Sequence, residues 1–408
     1  MRIGIDLLRA DPEYVGGLNT YIMGLLDGFA AVGRKHHFQL YLTDANRSWF
    51  AHYEALPNFE AVALNCASFR LRQAVCRMAL FSPNPDLYRR ISGGLFQPIR
   101  RIMDARSDVI YSPTVSLLCF DHRKPTLLSM HDIQHLHYPQ FFSWPRRLSR
   151  RVTCALSAAH ASQFQASSEF IRRDMLSHFP NLSCDRISVI PEGVSLAHFS
   201  ASGGDAALNR YRLEKRFLFL PAQLWPHKNH LTVLRALRRI ERDRGLKIPL
   251  VMTGSRYSGA AAVFNFKAKH RMDYVRYLGA VPFPHLVALY RRAALAVSPG
   301  LYESNSLPVL EAAAAGTAVI ASKIAPNEEL AATLQLNLFP PLDEGALADL
   351  ILDSWRDESM CRKQALHNRE AVRRFSWENA ARQYLSVMEE MLNPNLGRNL
   401  RRRPALAR

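Results

Sequence analysis

Residues 301–322 read LYESNSLPVLEAAAAGTAVIAS, and the pattern of this stretch decides how the chain folds. Asn305 and Ser306 are helix-start residues, Pro308 falls in a first turn where its missing N–H costs nothing, and Gly316 stands just past the helix end. One apolar run, Ala294 to Pro299, precedes this helix and another, Thr317 to Ala321, follows it, so the segment predicts a β-α-β crossover. Such a helix aims its free N–H groups at the crevice where open α/β sheets hold ligands, and that end suits phosphate. Glu303, on the entry loop, and Glu311, two turns along, suit sugar hydroxyls instead. Together the parts describe a pocket for a sugar nucleotide.

The same rhythm extends in both directions. Arg2 to Leu8 predicts a strand, the loop Arg9 to Gly17 follows, and Leu18, Tyr21, Ile22, Leu25, Leu26 and Phe29 then recur at helical spacing. Phe38–Leu42, Asp108–Tyr111 and Thr126–Met130 predict further strands. A second series runs through Phe217–Leu220, Leu250–Thr253, Tyr277-Leu278 and Leu295–Val297. Strands alternating with helices predict an α/β protein with parallel, doubly wound sheets. Residues 67–106 interrupt the first series with Phe-, Leu- and Arg-rich stretches and read as an insertion of basic amphipathic helices. The small polar run Ser200–Asp205 places the join between Phe199 and Ala207. The expected organisation is a first domain over 1–202, a second over 207–375, a helix over 376–392 that crosses back to the first, and a basic disordered tail over 393–408.

A chain of 408 residues, 48% apolar and 22% charged, has the composition of a folded two-domain protein. Met1–Asp6 does not resemble a signal peptide and no apolar run approaches membrane-spanning length. The six cysteines are scattered without a C-x-x-C pair, which predicts reduced thiols and a cytoplasmic protein. The net charge is +18, with 14 Lys/Arg against 5 Asp/Glu between Cys66 and His160. On charge alone the partner is equally nucleic acid or a membrane carrying acidic lipids.

Four further motifs carry chemistry. Pro221-Ala222-Gln223-Leu224-Trp225-Pro226-His227-Lys228-Asn229 ends a strand and opens a helix, where Lys228 can neutralise a departing diphosphate. His131-Asp132 follows the strand Thr126–Met130. His131, His135 and His137 have the H-x-x-x-H type of spacing of a metal site, but Pro139 follows closely and no cysteine joins them, so no metal is expected; His131 reads equally as a ring bonded to Asp132 or to backbone. Thr253-Gly254-Ser255-Arg256 adds a cation. Gly16-Gly17 allows close backbone approach to a diphosphate or acceptor, although it is no dinucleotide fingerprint and a lone Gly-Gly is ordinarily a turn.

In this order, with Leu278-Gly279-Ala280-Val281, Ser298–Glu303 and Leu307–Ala312, the motifs resemble the family-4 glycosyltransferases of GT-B type from Met1 to about Leu392. The resemblance implies two Rossmann-like domains facing a central cleft, with the nucleotide sugar on the second domain and the acceptor on the first. It implies that Glu303 sits by the transferred sugar, that Glu311 binds the ribose and that His131 approaches the donor sugar. Gly16, Gly17, Gln223, Lys228, Arg256, Ser304, Asn305, Ser306 and Leu307 then fall around the donor. Two departures stand out. Ser304-Asn305-Ser306 replaces the commoner Gly-Phe-Gly, and Ala222-Gln223 replaces Gly-Arg, so one phosphate cation is missing unless Arg256 supplies it. The P-A-Q-x-W-P-H-K-N wording resembles a subset acting with mannose-type donors and favours GDP-mannose. The expected enzyme is a metal-independent retaining hexosyltransferase without a cofactor. Its acceptor would be a glycan or a lipid-linked saccharide, as in lipopolysaccharide or polysaccharide synthesis, and it would sit peripherally on an anionic membrane face. A basic nucleic-acid-binding protein and a sugar-nucleotide epimerase on the same fold are the alternatives; neither explains the motif series, and no nucleic acid is expected as partner.

Overall fold

The computed structural model describes residues 1–12, 16–64, 69–80, 84–200 and 208–393. The expected polar join and basic tail lie, but for Ser200 and Asn393, outside them. The chain forms two compact units: one from 1–14, 18–191 and 378–408, the other from 192–377 with 15–17.

In the first unit seven parallel strands form one sheet. They are β1 (Arg2–Asp6), β2 (His37–Leu42), β3 (Phe59–Ala63), β4 (Val109–Ser112), β5 (Thr126–Ser129), β6 (Gln163–Ala166) and β7 (Ile187–Val189), in the order 3-2-1-4-5-6-7. The second unit has six: β8 (Leu218–Pro221), β9 (Leu250–Thr253), β10 (Val275–Tyr277), β11 (Leu295–Ser298), β12 (Val319–Ser322) and β13 (Asn337–Phe339), in the order 10-9-8-11-12-13. Central strands such as β4, β9, β11 and β12 are buried along their whole length, as sheets covered by helices on both faces demand.

The first strand stops at Asp6 rather than Leu8 because the Asp6 carboxylate accepts the Leu8 N–H at 3.3 Å and turns the chain. The basic insertion forms three helices, Phe69–Ala79, Pro85–Leu95 and Gln97–Arg106. They bury Cys76, Phe96, Ile99 and Met103 with Leu8, Tyr41 and Ile110 beside the first sheet. Their arginines are partly spent internally: Arg89 bonds Asp86 at 2.7 Å and Asp121 at 2.8 Å, and Arg72 donates to the Leu95 carbonyl at 2.7 Å. Among the described residues no helix is long and apolar enough to cross a membrane.

The helix Trp377–Leu392 is fixed to the first sheet by a buried knot of hydroxyls. Tyr384 lies 2.5 Å from Tyr21 and 3.0 Å from Ser129, while Tyr21 lies 2.5 Å from Tyr111. In this knot each hydroxyl has a partner to which it can donate and one from which it can accept, so none is stranded away from water. Tyr384→Phe should lower stability by about 1–2 kcal/mol in urea unfolding while leaving far-ultraviolet dichroism unchanged. A variant as stable as the parent would show that the knot holds nothing.

Candidate active site

With the second sheet ordered 10-9-8-11-12-13, the chain winds one way from β8 and the other way from β11, and a crevice opens at that switch point. Two loops border it, Ala222–Asn229 after β8 and Pro299–Ser306 after β11. They are knitted together by the backbone, Leu301 N–H donating to the His227 carbonyl at 2.7 Å. Asn229 adds a second tie. It adopts the left-handed conformation, φ 55°, and its amide donates to Pro299 O at 3.0 Å and Pro341 O at 2.6 Å. Thr232 locks that amide by donating to Asn229 Oδ1 at 2.8 Å.

This framework sets Lys228 against Glu303. The ammonium donates to both carboxylate oxygens, at 2.7 and 2.8 Å, with side chains 21% and 10% exposed. Gly300 makes room for the carboxylate, since a Cβ there would stand 2.5 Å from Glu303 Oε1. Glu311 lies deeper, in the helix Leu307–Ala315, and accepts the Tyr290 hydroxyl at 2.8 Å. Burial pushes its carboxyl up to about 7, against the opposing pull of Tyr290 and the Lys228 charge. One lysine therefore acts on both glutamates: it contacts Glu303 directly and reaches Glu311 through its field.

The helix start falls where the sequence places it, but its chemistry differs. Ser306 is the N-cap residue, yet its hydroxyl makes no cap hydrogen bond and donates instead to Asn327 Oδ1. The Asn305 amide points to the Glu192 carbonyl at 3.5 Å. Neither side chain caps the first turn as expected, because both are drawn to neighbouring loops. Pro308 still occupies the first turn, and Gly316 ends the helix at φ 73°. Leu307 is buried and Ser304 half-buried.

Beside this centre, Gln223 accepts the Trp225 indole N–H at 3.0 Å, and its buried Nε2 finds no partner. The Arg256 backbone bridges to Leu224 in the loop after β8, and its guanidinium lies over the Phe264 and Tyr277 rings at 4.8 and 5.5 Å. Gly254, at φ 120°, packs so closely on Ala222 that a Cβ would stand 2.6 Å from its carbonyl.

In the first unit, His131 is buried at the end of β5, bonded through Nε2 to the Pro113 carbonyl at 2.9 Å and edge-on to Tyr21. A backbone carbonyl is thus one partner of the ring, and Asp132 pairs with Arg150 at 2.6 Å. Gly17 opens the helix Gly17–Val32, directly after Gly16. Arg9 donates to Thr114 Oγ1 at 2.6 Å and Ser116 Oγ at 3.2 Å, tying the loops after β1 and β4, the switch-point strands of the first sheet; no local motif marks Arg9 for this role. His131, His135 and His137 do not form a ligand triad: His135 is buried with both ring nitrogens unpartnered, and His137 turns to Asp174.

A family model described as glycosyl transferases group 1 matches residues 208–371, and one described as glycosyltransferase family 4 matches residues 15–198. The chain belongs to the group 1, family-4 glycosyltransferases. O-antigen chain mannosyltransferase B of Escherichia coli is 25% identical to this glycosyltransferase over 291 residues, 70% of this chain and 75% of the relative. The MMP alpha-(1->4)-mannosyltransferase of Mycolicibacterium hassiacum is 27% identical over 262 residues, covering 62% and 57%. Among solved structures, Anabaena HepE in complex with UDP and glucose superposes with a TM-score of 0.71 at 18% identity, over 96% of this chain and 100% of that one. WaaG, a glycosyltransferase involved in lipopolysaccharide biosynthesis, superposes at 0.68 and 14% identity, over 95% and 99%. The fold of this glycosyltransferase is GT-B.

The raised Glu311 carboxyl sets a pH dependence. An acid that holds its proton more tightly when folded costs nothing while protonated, below its ordinary 4.5, and costs most above about 7. The shift corresponds to at most about 3 kcal/mol. Glu311→Gln keeps an acceptor for Tyr290 and should leave the glycosyltransferase more stable than the parent at pH 8, by up to that amount, with the gap closing towards pH 4.5. Denaturant midpoints across that range test it, and a pH-independent gap would contradict the buried-carboxyl assignment.

Proposed function

We propose that this glycosyltransferase moves a hexose, with mannose from GDP-mannose favoured, onto a hydroxyl of a glycan or lipid-linked saccharide with retention at the anomeric carbon. The observation that carries the reading is Lys228 held between Glu303 and the field of Glu311 at a helix start whose residues do not cap it. A lysine beside the positive end of a helix suits a nucleoside diphosphate leaving group. Glu303 and Glu311 suit hydroxyls of the sugar and ribose. As the bond from the anomeric carbon to the diphosphate oxygen breaks, the bond to the acceptor oxygen forms, and the diphosphate takes the acceptor proton. Lys228 then exchanges one of its carboxylate contacts for the growing phosphate charge, which stabilises the transition state more than the ground state. The charge is met by this chain's own groups and no metal ion is assigned to the step.

The mannose preference rests on the P-A-Q-x-W-P-H-K-N wording and on the mannosyltransferases named among the relatives. A membrane-facing acceptor is supported by apolar side chains exposed on the basic insertion, Met78 (73%), Leu87, Val75 and Ile102, and by Trp144 beside Arg146 and Arg147.

Incubation with GDP-mannose and a lipid-linked saccharide should yield an α-linked mannosyl product by NMR. Lys228→Ala and Glu311→Ala should each reduce kcat/KM about 100-fold or more in folded protein. Parent-like turnover in either variant would refute the site. Anionic liposomes should co-sediment the enzyme at low salt and release it at high salt; no co-sedimentation would refute the membrane-facing acceptor.

A further inference from the structure

A second constellation lies in the first unit, apart from the residues assigned to transfer. Asp174 and His178 stand one turn apart at the end of the helix Glu169–His178, and the short helix Gln134–His137 brings a second imidazole to them. His137 Nε2 lies 2.8 Å from both oxygens of the Asp174 carboxylate, and His178 Nδ1 lies 3.2 Å from Oδ1. The three donor atoms lie within 4.8 Å of one another. The carboxylate forms the floor, 6% exposed, and the imidazoles form the rim, 32% and 34% exposed.

We propose that His137, Asp174 and His178 bind a divalent transition-metal ion, of which zinc fits best. Two imidazole nitrogens and one carboxylate oxygen are a borderline set that suits zinc, whereas calcium and magnesium require more oxygen ligands. Three protein ligands leave a fourth, tetrahedral position for water. Ligands about 2.1 Å from a tetrahedral ion stand roughly 3.4 Å apart. The two imidazole–carboxylate separations of 2.8 and 3.2 Å are a little short of that, and the two imidazole nitrogens lie within 4.8 Å of each other, so ring rotations of the partly exposed histidines would bring the set to it.

Hydrogen bonds alone serve this cluster poorly. The single Nδ1 position of His178 faces two acceptors, the Asp174 carbonyl at 2.9 Å and Asp174 Oδ1 at 3.2 Å, besides the Ser177 hydroxyl at 2.9 Å, and one ring proton cannot serve both. An ion on the carboxylate uses the lone pairs of both imidazoles at once and neutralises the buried charge. His178 also lines a cavity of about 490 Å³ with His135, Leu136, Trp144, Arg147 and Arg151. A bound ion would clamp the short helix that follows His131–Asp132 to the helix Glu169–His178 and fix one wall of that cavity. The ion takes no part in sugar transfer.

The test uses tag-free full-length protein stripped with a chelator and titrated with zinc by calorimetry at pH 7.5. One equivalent should bind with micromolar or tighter affinity, and zinc should raise the melting temperature. His137→Gln combined with His178→Gln should weaken binding at least tenfold and abolish the zinc-dependent shift, while the metal-free melting temperature stays near that of the parent. Cys184→Ser, which removes an exposed thiol, should bind as the parent does. No binding by the parent, or an unchanged site in the double histidine variant, would overturn the proposal.

Discussion

The left-handed Asn229 is the constraint on which the candidate site depends. Its amide ties the loop after β8 to the loops after β11 and β13, and the backbone bond from Leu301 to His227 completes the tie. Two segments 75 residues apart in sequence thereby present Lys228 and Glu303 at bonding distance. A residue other than glycine at φ 55° carries a local cost, which asparagine tolerates better than most because its amide can bond the backbone nearby. The parallel sheet supplies the crevice, and this one side chain supplies its edges.

Two carboxylates eight residues apart acquire different characters from that framework. Glu303 faces Lys228 in an ion pair whose side chains are 10% and 21% exposed. Glu311 is sunk against Tyr290, so burial raises its carboxyl towards neutrality. The proposed nucleoside diphosphate sugar would use both kinds of group: a cation able to change partners beside phosphate, and a firmly positioned hydrogen-bonding carboxyl beside hydroxyls. The ion pair is the state in which Lys228 and Glu303 satisfy each other.

Much of this was legible in the sequence. The helix after β11 was readable from Pro308, the apolar runs and Gly316, because helix punctuation is local. Lys228, Glu303 and Glu311 were readable one by one from motifs. Their mutual geometry was not, since Tyr290, Asn327 and Asn229 act across the fold. β3, β6, β7 and β13 were not legible because each mixes polar residues with its apolar ones; β6 reads Gln163-Phe164-Gln165-Ala166, and its buried Gln165 donates to the Ile190 carbonyl of the next segment. Ser306 has the residue type of a cap and the position of a cap, yet Asn327 takes its hydroxyl. His131, His135 and His137 share a spacing but not a place, and the partner of His137 lies 37 residues away.

A crystal structure of the complex with GDP tests the central claim most directly. The diphosphate should lie within about 3 Å of Lys228 Nζ and at the N-terminal end of the helix Leu307–Ala315, with the ribose on Glu311 and the Lys228–Glu303 pair opened or shared. Nucleotide bound elsewhere on the chain, with that pair intact and Glu311 contacting only Tyr290, would contradict it.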